Sequence, residues 1–139
     1  MEDLGLWEPR LEQWKREVKK VLDYIHTKPN ILGNDVTYDL NWVIICGHGF
    51  GGCTALAVCH EETIWAHYCI MLDPWLFCLY WEIIDNGFRI EKPLLSVSSS
   101  EYHENVPGFD SMDSLNQLFE NCQGEEDRNL LMRETGHLF

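Results

Sequence analysis

The sequence is poor in positive charge. Lys and Arg together number 10 against 23 Asp and Glu, a formal net charge of −13. A nucleic-acid binder replaces counterions along the phosphate backbone with a basic stripe, and no such stripe occurs here, so nucleic acid is not an expected partner. The imbalance grows along the chain: −2 over residues 1–40, −4 over 41–100 and −7 over 101–139. The C-terminal third should therefore repel anionic surfaces and face solvent or a basic one. Also missing is any apolar run of the ~18 residues that a membrane span needs. The N-terminus, MEDLGLWEPRLEQWKREVKK, has acids where a signal peptide has bases, and it has no apolar h-region. Glu2 excludes N-myristoylation.

The six cysteines, at 46, 53, 59, 69, 78 and 122, contain no C-x-x-C pair, which argues against a structural zinc site. Their even number permits three disulfides. Most lie inside apolar segments, however, where cysteine acts as a small buried hydrophobe. Without an export signal, reduced thiols and a cytoplasmic location are the expectation. His60, His67 and His103 share no ligand spacing with one another or with acids on one helix face. No metal and no other cofactor is expected.

What is present is globular. Apolar residues make up 45% and aromatic residues 12% of a 139-residue chain, enough for one domain and too little for two. Trp7, Leu11, Trp14, Val18, Val21 and Ile25 step by 4, 3, 4, 3 and 4, which predicts a helix over 6–26 with these residues as its apolar face. Pro9 suits its first turn. Residues 30–40 read as loop. Asn41–Cys46 (NWVIIC) is a near-continuous, β-branched run, the signature of a strand buried on both faces of a parallel sheet. A glycine turn follows, then a helix over Cys53–His60. Trp65–Leu72 reads as a second strand, Trp75–Asn86 as a helix, Leu94–Ser98 as a third strand, Asp110–Cys122 as a helix and Asn129–Arg133 as a fourth strand. Strands alternating with helices predict βαβ units and a mostly parallel sheet, an α/β fold. One domain over 1–139 is expected, with a leading helix and loop over 1–40 and the βαβ core over 41–139.

The chemistry concentrates in Gly47-His48-Gly49-Phe50-Gly51-Gly52. A P-loop needs a lysine that residues 47–60 lack. A dinucleotide fingerprint needs G-x-G-x-x-G with an acid about 20 residues on. Gly47, Gly49 and Gly52 carry that spacing and Asp73 stands 21 residues beyond Gly52, but a long helix and loop precede the strand and Asp73 is followed by Pro-Trp, so the reading stays open and weak. A nucleophile elbow, G-x-S-x-G between strand and helix, fits every position but the centre, where Gly49 replaces the nucleophile. In that reading the outer glycines, Gly47 and Gly51, are there because a Cβ would collide with neighbouring backbone, and the centre takes a strained positive φ. Asp73 follows the next strand and His137 the last one. The order nucleophile, acid, histidine is that of α/β-hydrolase triads, and both residues lie at C-terminal strand ends, where open parallel sheets place their sites. A helix cap for Asp73 and a frayed terminal residue for His137 are the plain alternatives.

The segment GHGFGGCTA (47–55) resembles the GHSFGGAT elbow of the plasma-type and intracellular platelet-activating-factor acetylhydrolases. LDPWLF (72–77) resembles the family segment that bears the triad Asp, and Thr135-Gly136-His137 is loosely similar to the segment that bears the triad His. The likeness extends over roughly residues 42–139, with helix 6–26 matching the helix before the elbow strand. It implies an α/β-hydrolase fold that hydrolyses a short sn-2 acyl ester of a phospholipid with a serine nucleophile and no metal. It places Gly49 at the nucleophile, Asp73 and His137 in the rest of the triad, the Phe50 N–H in the oxyanion hole, and Gly47, His48, Gly51 and Gly52 in the elbow.

Two departures follow from the same comparison. Glycine has no Oγ, so no acyl-enzyme can form at residue 49. Cys53, one helical turn on, is the nearest thiol but lies on the helix rather than at the tip. The family's first strands, and the loop giving the second oxyanion N–H, would lie upstream of residue 1; each missing donor costs about 3 kcal/mol of transition-state stabilisation. The expectation is a degenerate, truncated relative acting as a binding or scaffold subunit. The alternatives are an active serine esterase seen as a fragment or nucleophile variant, and a small dinucleotide-binding module. The apolar 41–46 strand would then show an open edge to another protein chain, with phospholipid as a second candidate ligand.

Overall fold

The computed structural model describes residues 4–28, 30–62, 64–100, 111–122, 124 and 128–132. Helix α1 spans Leu4–Thr27, two residues longer at the start than its periodicity predicts. Its buried stripe differs from the predicted one. Leu11, Lys15 and Leu22 are buried, whereas Trp14 and Val21 are 43% and 57% exposed. The inward face runs 11–15–18–22, rotated from the all-apolar line because it includes a lysine. Lys15 is tolerated there because its Nζ binds Glu12 and Glu61, the latter on the helix beneath. Pro9 lies inside the helix rather than in its first turn, where it removes one i→i−4 hydrogen bond.

Four parallel strands follow in the order β1-β2-β3-β4: Ile44–His48, Tyr68–Leu72, Leu94–Ser99 and Arg128–Met132. Each lies close to its predicted run, but β1 and β2 both begin three residues late. β1 continues through Gly47 and His48 into the glycine motif, and it is an edge strand, paired with β2 alone among the described residues. The run 41–46 is therefore not buried on both faces. Ile45 points into the core, while Ile44 is 53% and Trp42 62% exposed. Trp42 stacks on Tyr68 at 5.7 Å.

Helix α2 spans Phe50–Glu61 and begins three residues before the predicted segment. Its residues 52–59 are all buried, because it is covered by α1 on one side and the sheet on the other. It has no polar face in that stretch, which is what a helix sandwiched between layers requires. The single helix predicted over 75–86 is a 3-10 turn, Leu76–Leu79, followed by a short helix α3, Tyr80–Ile84. Helix α4 spans Ser111–Cys122 and packs on α3. Its Asn121 Nδ2 donates to the carbonyls of Ile83 and Phe88, 2.9 and 3.0 Å, and so fixes the turn that closes α3. Leu56, Met71, Leu76, Ile83, Leu94, Leu115 and Leu118 are fully buried and join these layers into one core. None of the described helices is long and apolar enough to cross a membrane.

Candidate functional site

The turn between β1 and α2 is built around Gly49, whose φ of 57° and ψ of −122° are a combination that L side chains adopt only under strain. The turn is sewn to the end of β2. Gly49 N–H donates to Leu72 O at 3.0 Å, and Trp75 N–H donates to Gly49 O at 2.9 Å. The elbow tip is thus tied to the residues on both sides of Asp73. A Cβ at Gly49 would meet nothing within 4 Å. Glycine holds this backbone without strain, a side chain would strain it, and the space above it is open.

The flanking glycines divide differently from expectation. At Gly47 a Cβ would lie 2.0 Å from Gly51 O and 2.2 Å from Gly51 C, a backbone collision that only glycine avoids. At Gly51 a Cβ would meet nothing within 4 Å, so the collision predicted there does not occur. The second tight position is Gly52, where a Cβ would sit 3.2 Å from Gly47 O and from Pro74 Cα and Cβ. Gly52 is the point where α2 crosses the Asp73-Pro74 turn, and Gly51 is one residue too early for it.

Asp73 follows β2 and is completely buried. It is the one non-glycine residue with positive φ among those described, at 42°. Its N–H donates to Val97 O at 2.9 Å. Its carboxylate accepts the Ser99 N–H at 2.6 Å and the Ser99 hydroxyl at 3.1 Å. The sequence reading missed Ser99, taking the strand to end at Ser98. The available signal was the parallel register: once Leu72 pairs with Val97, the residue after β2 faces the serines that end β3.

Gly49, Phe50 and Asp73 therefore meet at the C-terminal ends of β1 and β2. Phe50 opens α2, so its N–H is one of the four that a helix leaves without an intrahelical acceptor. His48 ends β1, half-buried, opposite Leu72. His137, together with the expected Thr135-Gly136 segment, His103 and the first residue of the helix predicted over 110–122, lies outside the described residues.

Aromatic rings roof the elbow on its α1 side. Trp7 packs against Phe50, Trp75 and Phe77 at 5.3, 5.0 and 5.9 Å, and Trp14 against Phe50 at 5.0 Å. The Arg10 guanidinium lies 5.1 Å above the Trp7 ring. The same rings hold α1 over the turn, so the N-terminal helix shapes the site.

The other candidates resolve into structural roles. Cys53 is fully buried, and burial pushes its thiol well above its ordinary range, with Cys78 adding to the effect and Lys15 opposing it. An inaccessible, protonated thiol is no substitute nucleophile. His60 Nδ1 donates to Arg89 O at 2.7 Å and its ring stacks on Phe88 at 4.3 Å. His67 Nδ1 accepts the Val43 N–H at 3.2 Å. Among the described residues no three His, Cys, Asp or Glu side chains gather in a way that could hold a metal.

No curated protein and no solved structure matches the chain. The family model described as platelet-activating factor acetylhydrolase, isoform II, matches residues 8–134. That span contains α1 from its fifth residue onward, the elbow, Asp73 and the four described strands, and it ends before His137. With a strand–turn–helix elbow, an acid after the next parallel strand and a family match over nearly its whole length, the chain belongs to the platelet-activating factor acetylhydrolase isoform II family.

Proposed function

We propose that this family member is catalytically inactive and serves as a binding or scaffold subunit. The observation that carries the reading is Gly49: the tip of the elbow has a positive φ, as expected for a nucleophile position, and no side chain. Serine ester hydrolysis needs an Oγ that attacks the acyl carbonyl and a histidine that takes its proton. Glycine offers no atom for the first role. Asp73, whose carboxylate accepts from Ser99, would be the acid, and His137 is assigned as the third member from the family resemblance. The Phe50 N–H is the one oxyanion donor that the elbow itself supplies. The ligand class that such a site would keep is a phospholipid with a short sn-2 acyl chain, bound without turnover.

The edge of β1, which pairs with β2 alone among the described residues, supports the scaffold half of the proposal. Its outer side, with Ile44 and Trp42 exposed, suits another protein chain adding a strand. A cytoplasmic setting is part of the same reading.

A second reading is favoured by the empty space at Gly49: the frame would accept a serine side chain, as in an active esterase of which this is a nucleophile variant. Turnover of a short-chain ester separates the two. The wild-type chain is expected to match the buffer rate. Gly49→Ser is expected to recover only a small fraction of an esterase rate, since the Phe50 N–H is the one oxyanion donor that the described residues of the elbow offer and a second donor is worth about 3 kcal/mol. Wild-type turnover that His137→Ala abolishes would overturn the proposal, and brisk turnover by Gly49→Ser would support the second reading.

A further inference from the structure

The two faces of the sheet are treated differently. Alternate residues of β1, β2 and β3 point to opposite faces. One set, Ile45, Cys69, Met71 and Leu94, is buried and joins the core, where Leu22, Leu56, Ile83 and Leu115 bring in the four helices. The other set is Ile44 and Cys46, Tyr68 and Ile70, Leu95 and Val97. These six are exposed or half-buried, and none of them belongs to the core or packs against it. The parallel register, with Ile44 beside Tyr68, Cys46 beside Ile70 and Ile70 beside Leu95, puts them on one face. The strand order explains the asymmetry. In a sheet ordered β1-β2-β3-β4, right-handed crossovers that always step the same way lay every connecting helix on the same side. Among the described residues the opposite face has no helix over it.

All-parallel sheets are almost always covered on both faces. β1, β2 and β3 contain no Asp, Glu, Lys or Arg, so they give an ionic partner nothing to recognise on this face. Trp42, stacked on Tyr68 at 5.7 Å, extends it with a second aromatic ring. The net charge of −13 decides which contact between like chains is tolerable. Two sheets packed face to face lie about 10 Å apart, and each helix layer adds about 10 Å on its outer side. The charged outer surfaces of two copies would then stand roughly 30 Å apart, several times the Debye length of ~8 Å at physiological salt. A contact through the helix layers would instead press acid against acid.

We infer that this open face is a self-association surface, on which a second copy of the chain packs sheet against sheet about a two-fold axis. A two-fold contact uses the same patch on both copies, so an uncharged apolar patch meets its like. The area is sufficient for a modest dimer. Four strands of five or six residues, at about 4.8 Å between strands and 3.3 Å per residue, present roughly 300 Å² in plan. Side-chain relief about doubles that, so two copies would bury about 1,200 Å² in total, the lower end of stable interfaces. Affinity in the micromolar range is expected from so small an area. The contact is distinct from strand addition at the edge of β1: it uses side chains that leave the plane of the sheet, whereas strand addition uses backbone groups that lie in it.

The test is sedimentation of the whole chain at concentrations from about 1 to 200 μM, which span that range. A monomer–dimer equilibrium that stops at the dimer is expected. Ile70→Lys and Leu95→Lys, neighbours at the centre of the face, should each raise the dissociation constant at least about tenfold. Cys46 is an exposed thiol on the same face. Its alkylation by a maleimide, located by peptide mapping, should slow in the wild type as the dimer fills. Hydrogen exchange of the β1 amides should be the same in monomer and dimer. If a lysine variant does not melt cooperatively, the wild-type thiol readout decides alone. A chain that stays monomeric, a dimer indifferent to both lysines, or Cys46 labelling independent of concentration would overturn the inference. So would β1 amides that become protected on dimerisation, which is the mark of strand addition at the edge.

Discussion

The residues that make the site fall into those that must be glycine and those that need not be. At Gly47 an added methyl would overlap the Gly51 carbonyl. Gly47→Ala should cost about 3 kcal/mol or more in urea denaturation, since the backbone of the turn must shift. Gly51 sits inside α2 with open space at its Cβ, so Gly51→Ala should be neutral or stabilise by about 0.5–1 kcal/mol through helix propensity. Equal destabilisation by both would contradict the elbow geometry. Ser99→Ala removes the hydroxyl from the buried Asp73 carboxylate and leaves the backbone N–H in place. It should cost about 1–2 kcal/mol by the same measurement. The sequence marked Gly47, Gly49 and Asp73 through their spacing alone. Ser99 was not legible, because its partner is set by strand register, a relation between segments far apart in the chain.

At the scale of elements, α1 is held to α2 by more than apolar packing. Lys15, buried, and Lys19 both bind Glu61. Burial works against the Lys15 charge, but the hydrogen bonds to Glu12 and Glu61 outweigh it and hold the ammonium above its ordinary pKa. At Glu61 the hydrogen bonds from Lys15 and Lys19 outweigh burial and hold its carboxyl below the ordinary range. The signs give a window. A lowered carboxylate adds stability that is present above its unfolded pKa, 4.5, and lost as pH falls through the folded value. A raised lysine adds stability that is present below 10.5 and lost as pH rises through its folded value. The clamp should therefore hold between these limits. Glu61→Gln should flatten the acid limb of a stability–pH curve and destabilise the chain at neutral pH, with the Trp7 fluorescence reporting release of α1. An acid limb unchanged by Glu61→Gln would contradict the clamp. This clamp is also why the helix face was misread. Periodicity counts apolar side chains, and the buried stripe of α1 includes a lysine whose partner lies 46 residues away. The strands were legible because β-branched runs report burial locally. Their starts were not, because hydrogen bonding to a neighbour decides where a ladder begins.

At the scale of the whole molecule, the α/β architecture was readable from the alternation of segments, but the exposure of β1 was readable only in part. The apolar run announced a strand; its place at the edge comes from the sheet order. An edge with Ile44 and Trp42 exposed should bind a hydrophobic-patch dye or associate at high concentration, and Ile44→Asp should suppress both. A wild-type chain that stays monomeric, melts cooperatively and binds no dye would contradict the expected partner. The central claim is that a family frame is kept without its nucleophile. Reaction with a fluorophosphonate ester probe, followed by intact mass and peptide mapping, tests it most directly. The account predicts no covalent adduct on the wild-type chain under conditions that label an active serine esterase to completion. A single stoichiometric adduct on the wild type, lost in His137→Ala, would contradict it.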